Sequence, residues 1–154
     1  MSLSFEQLLE RDGRLVYKTR GKSMLPMLYQ ERDLVIIEPI SEPLKPMDVV
    51  LYKRGASYVL HRVIHVLEDE CLIRGDNTYS LERVPNKSML GKLVFFVRKG
   101  KRYEVTDRRY LYYARFWCAV YPVRMVFFRC RRLCVRILRK LGLLAAVKRL
   151  LRRA

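Results

Sequence analysis

The chain has 154 residues, 51% of them apolar, and a net charge of +17; this fits one domain with an appendage and excludes a disordered chain. Residues 98–154 hold 18 of the 32 Lys and Arg but only two acids, Glu104 and Asp107, for a net +16, whereas residues 1–97 carry 14 basic and 13 acidic residues. A polyanion-seeking surface therefore belongs to the C-terminal segment, and the body is nearly neutral.

In chain order, residues 4–11 read as a short helix, with Ser4 and Gln7 as a capping box and Asp12-Gly13 as its stop. Residues 15–19 read as a strand that delivers the chain to Gly21-Lys22-Ser23-Met24-Leu25-Pro26. Proline cannot donate to a sheet ladder, so this stretch is a break, and a serine on it can project its hydroxyl away from regular packing. Further strands are expected at residues 33–38, 47–53, 58–66, 71–74 and 90–98, with residues 54–57 as a hairpin turn. Residues 76–88 read as a polar loop, and residues 102–106 follow a turn at Lys99-Gly100-Lys101. Alternation along 58–66 places Val59, His61, Val63 and His65 on one face. The expected fold is mainly β: an antiparallel β body at residues 1–106, with a basic amphipathic helical extension at residues 107–154.

In that extension the pattern becomes helical, with a break near Pro122. From Val123 to Lys140 basic residues recur at three- and four-residue steps and apolar residues fill the face between them; Leu143 to Leu151 continues the pattern after Gly142. No charge-free run of membrane-spanning length occurs there, since Tyr110 to Phe128 contains Arg115, Pro122 and Arg124. The first 20 residues include Glu6, Glu10, Arg11 and Asp12, so neither a signal peptide nor an N-terminal membrane span is expected. Cys71, Cys118, Cys130 and Cys134 form no C-x-x-C pair; free thiols and no metal site are expected.

A serine hydroxyl becomes a useful nucleophile when a histidine within hydrogen-bond reach removes its proton and a carboxylate orients that histidine. Only two histidines are present, His61 and His65. The ordered boxes Gly-x-Ser-Met-x-Pro (21–26), Asp-Leu-Val (33–35), Asp-Val-Val-x-Tyr (48–52), His-Arg-Val-Ile (61–64), Arg-Gly-Asp-Asn (74–77) and Leu-Gly-Lys-Leu (90–93) resemble the type I signal peptidase family. The His-Arg-Val box is similar to the branch found in the endoplasmic reticulum and in some Gram-positive bacteria, which uses histidine where the common bacterial enzymes use lysine. The resemblance covers residues 14–98.

The resemblance implies a signal-peptidase-like fold, Ser23 as nucleophile, His61 as general base, and the Ser23 backbone N–H in the oxyanion hole. The branch's third carboxylate lies six residues after the aspartate of the Gly-Asp-Asn box; here that position is Glu82, a glutamate in place of aspartate, and Asp76 competes with it as the orienter. Asp33 and Asp48 are expected to fix turns. Family boxes often carry glycine before these aspartates, where this chain has Arg32 and Met47.

The expected activity is a serine endopeptidase cleaving a signal or leader peptide, with no cofactor and a peptide or preprotein as partner. No counterpart of the family's hydrophobic anchor is expected in these residues. Residues 107–154 instead suggest contact with an anionic membrane surface, giving a peripheral membrane or cytoplasmic protein, with nucleic acid the less favoured partner. The alternatives are a self-cleaving repressor-like peptidase domain and a non-catalytic membrane- or polyanion-binding protein on the same fold.

Overall fold

Ser4 caps the first helix, α1 (Phe5–Asp12): its hydroxyl accepts from Gln7 N–H, and Gln7 Oε1 accepts from Ser4 N–H at 2.9 Å. Gly13 closes the helix in the left-handed conformation. Leu9 is buried, and Phe5 and Leu8 pack beside it against the sheet. The computed structural model describes residues 3–140.

Eight antiparallel strands follow: β1 (Leu15–Lys18), β2 (Leu34–Glu38), β3 (Val49–Arg54), β4 (Ser57–Val66), β5 (Glu70–Arg74), β6 (Glu82–Pro85), β7 (Met89–Arg98) and β8 (Lys101–Glu104). They form one sheet in the order β1-β2-β7-β3-β4-β5-β6, with β8 paired to β7. The expected antiparallel β body with C-terminal helices is thus the architecture observed. β3 is buried on both faces: Leu51 joins one apolar cluster with Leu60, Leu93 and Met24, while Val50 and Tyr52 join another with Val63, Ile73 and Val84. Burying a large apolar side chain stabilises by about 1.5–3 kcal/mol, so β3 and its neighbours form the rigid centre.

Two sequence expectations give way. Residues 76–88 are not all loop: β6 pairs with β5, Ile73 opposite Glu82, and a short 3-10 turn (Asn86–Ser88) follows. Nor do His61 and His65 share a face. Val63 pairs with Ile73 but His65 with Leu72, so a β-bulge at Ile64 turns His65 to the opposite side, where it is exposed.

The chain divides into two compact units, Met1–Trp117 and Cys118–Ala154. α2 (Arg108–Ala119) buries Tyr110 and Ala114 in the core of the first unit. In the second unit, α3 (Tyr121–Lys140) starts with Pro122 in its first turn, where a missing N–H costs nothing. No residue of α3 is buried. Among the described residues no helix is long and apolar enough to cross a membrane. The expected amphipathic continuation from Leu143 to Leu151 lies outside the described residues.

Candidate active site

Ser23 opens a turn that is held down by its apolar neighbours. Met24, Met27 and Leu28 are buried, and Leu28 N–H donates to Met24 O at 2.8 Å, so the Ser-Met-x-Pro stretch packs by its methionines and leaves Ser23 partly exposed. Two arginines brace the turn from the sheet. Arg98 on β7 donates to the Met27 carbonyl and to fully buried Asp33, which in turn accepts from Tyr29 N–H at 3.0 Å. Arg62 on β4 contacts Met27 Sδ at 2.9 Å. Asp33 and Asp48 fix local turns as expected, Asp48 by accepting from Lys45 N–H at 2.9 Å. Met47, standing at the glycine position of the box, holds a left-handed φ of 83°.

The hairpin brings His61 in. The two-residue turn Gly55-Ala56 sets Arg54 opposite Ser57, hence Val50 opposite His61 and Tyr52 opposite Val59. Residues paired across antiparallel strands share a face, and so do residues two apart, which puts Tyr52 diagonally beside His61. The Tyr52 hydroxyl lies 3.3 Å from His61 Nδ1 and donates to Glu82 Oε2 at 2.8 Å. With that proton committed to Glu82, the network assigns the Nδ1 proton to His61, donated to the Tyr52 oxygen, and leaves Nε2 bare. Glu82 Oε1 stands 3.6 Å from Nδ1, beyond a hydrogen bond, and both its oxygens accept from Arg54 Nη1 at 3.1 Å. The sheet delivers Glu82 to this face through β6: Val63, Ile73 and Glu82 form one row across three strands.

Asp76 is placed elsewhere. It is buried and accepts two bonds from Arg62, both at 2.8 Å. Arg62, fully buried, also donates to Tyr110 Oη and Met47 O. Tyr113 Oη donates to Asp76 Oδ2 at 3.4 Å, and Trp117 Nε1 to the Asp76 carbonyl at 2.9 Å, so α2 clamps the Gly-Asp-Asn loop. That loop reaches the serine: Asn77 N–H donates to Ser23 O at 2.7 Å and Asn77 Nδ2 to Lys22 O at 3.1 Å. Of the two carboxylates open in the sequence, Glu82 is the one that faces the His61 network.

Gly75 occupies the gap between Ser23 and His61. The β4–β5 register, Arg62 opposite Arg74, carries it to the place facing His61. A Cβ there would sit 2.7 Å from the Ser23 carbonyl and 2.9 Å from His61 Nε2. Those two atoms therefore lie no farther apart than the sum of those distances, with only a glycine between them.

Ser23, His61 and Glu82 line one cleft of about 910 Å³, together with Thr19, Arg54, Thr78 and an aromatic wall of Phe5, Tyr17 and Tyr58. Phe5 stacks on Tyr58 with ring centroids 4.4 Å apart. Burial holds the His61 imidazole below its ordinary pKa; Glu82 pulls the other way and Arg54 opposes Glu82. The ring is thus neutral near pH 7, the state a general base requires. Thr19 Oγ1, in the cleft wall, is the one buried side-chain oxygen among the described residues with no hydrogen-bond partner. Among the described residues no cluster of three or more His, Cys, Asp or Glu could hold a metal ion.

Sequence reasoning singled out neither Tyr52, Thr19 nor the steric role of Gly75. Tyr52 had a usable signal, because the short hairpin turn fixes the register that places it beside His61. Thr19 had none, since a missing partner is visible only in three dimensions. Comparison of the sequence with protein-family models and with curated proteins found no match.

Proposed function

We propose that the chain is a serine endopeptidase of the signal-peptidase type, cleaving a signal or leader peptide. The observation that carries this is the meeting of Ser23, His61 and Glu82 in one cleft, with burial holding the imidazole below its ordinary pKa and the buried Tyr52 hydroxyl joining His61 to Glu82. Ser23 Oγ attacks the scissile carbonyl carbon while His61 Nε2 takes its proton. The Nδ1–H bond to Tyr52 fixes the ring, and the Glu82 charge behind Tyr52 stabilises the imidazolium that forms. His61 then gives the proton to the leaving amine, the C–N bond breaks, and the acyl group stays on Ser23. Water, deprotonated by His61, hydrolyses that ester and restores the serine. The aromatic wall would hold the peptide by apolar contact.

The test is labelling with a serine-reactive acylating probe. Wild type is expected to take one label at Ser23, and Ser23→Ala and His61→Ala to take none while remaining folded. Full labelling of the Ser23→Ala protein would exclude the assignment.

A further inference from the structure

We propose that α3 lies along an anionic lipid surface, with its apolar stripe in the acyl region and its arginines at the headgroups. Val123, Val126, Phe127, Leu133 and Ile137 recur at three- and four-residue steps, or multiples of them, and form one stripe of the helix. All five are exposed, Val123 at 72%, Phe127 at 64% and Val126 at 62%. A stripe of this kind normally faces a core. The rest of the circumference mixes apolar residues such as Met125 and Phe128 with cations: the 20 residues of α3 include seven Arg and Lys and no acid.

Three kinds of partner fit part of this description and only one fits all of it. A nucleic acid would take the charge but leave Phe127 and Leu133 in water. A second copy of the helix would cover the stripe but bring two clusters of seven like charges together with no acid on either to offset them. A bilayer with anionic headgroups covers the apolar stripe and pairs with the cations that flank it at once. Long arginine side chains reach from such a depth to the phosphates. The helix is too charged to span, so it lies in the plane of the interface.

This inference is independent of the peptidase reading, and its test uses the inactive Ser23→Ala protein at full length. Sedimentation with vesicles of phosphatidylcholine alone is compared with vesicles containing about one-third phosphatidylglycerol. Partition into the anionic vesicles is expected to be at least roughly tenfold stronger and to weaken with salt. Replacing two stripe residues, Phe127→Ser with Ile137→Ser, keeps every charge and is expected to lower that partition by about tenfold. Circular dichroism and an unchanged urea-denaturation midpoint confirm that the double variant is folded. Equal binding to neutral vesicles overturns the proposal, as does unchanged binding of the double variant, the signature of indifferent polyanion binding. So does a concentration-dependent oligomer in lipid-free solution that the double variant abolishes, because the stripe would then be covered by another copy.

Discussion

The Tyr52 hydroxyl stands between His61 and Glu82: it lies 3.3 Å from His61 Nδ1 and donates to Glu82 Oε2 at 2.8 Å. The carboxylate therefore reaches the histidine mainly through a phenol. Tyr52→Phe keeps the ring and its packing and removes that link. The expected result is a fall in kcat of about ten- to hundredfold with KM nearly unchanged. An unchanged kcat would mean that Glu82 acts on the imidazole directly.

The pH profile follows from the same group. Burial lowers the His61 pKa, so the acid limb of kcat/KM should fall below the ordinary histidine value of about 6.5. Glu82 raises that pKa; Glu82→Gln removes the contribution and should move the limb to still lower pH while lowering kcat. A limb moving upward in the Gln variant would contradict the assignment of His61 as the titrating base.

Gly75→Ala tests the spacing of the site. The added methyl meets the Ser23 carbonyl backbone and the His61 ring at under 3.0 Å, so one of them must shift. Misplacement by about 1 Å can cost about a hundredfold in rate, and a loss of that order in probe acylation is expected. Near-normal acylation would show that the nucleophile and base are held apart by something other than this glycine.

The Arg62–Asp76 pair should behave as structure rather than chemistry. Arg62→Met leaves the buried Asp76 carboxylate without its cation and is expected to cost about 3–5 kcal/mol in urea denaturation. Pairing it with Asp76→Leu removes both charges and should recover most of that loss. If the double variant is no more stable than the single one, the pair is not the source of the cost.

Thr19→Val should separate stability from binding. A buried hydroxyl with no partner costs about 1–3 kcal/mol, so the isosteric valine is expected to raise the unfolding midpoint. If the hydroxyl meets the bound peptide, the same variant raises KM. A stabilised protein with unaltered KM would leave the hydroxyl without a role in the cleft.

The strands around the centre were legible because β3, β4 and β7 carry long apolar runs, and α1 because Ser4, Gln7 and Gly13 punctuate it. β6 was not: Glu82-Arg83-Val84-Pro85 is a short edge strand with two charges and a proline, and the pairing with β5 that defines it is a property of two strands. Missing it left Glu82 in a loop, and so left its choice over Asp76 open. The bulge at Ile64 was equally hidden, since strict alternation assumes one residue per partner and the register shift is a property of the pair of strands. The docking of α2 depended on Tyr110 and Ala114 being four apart on a helix whose surrounding residues are strongly basic, so charge masked a short buried face.

The indole of Trp117 donates to the Asp76 carbonyl, one residue before the Asn77 that holds Ser23, and it is the chain's only tryptophan. Its emission is therefore an optical gauge built into the loop. Movement of that loop when the cleft fills would change the spectrum with no label attached, and a titration in a fluorimeter could follow occupancy in the Ser23→Ala protein, where no turnover reports it.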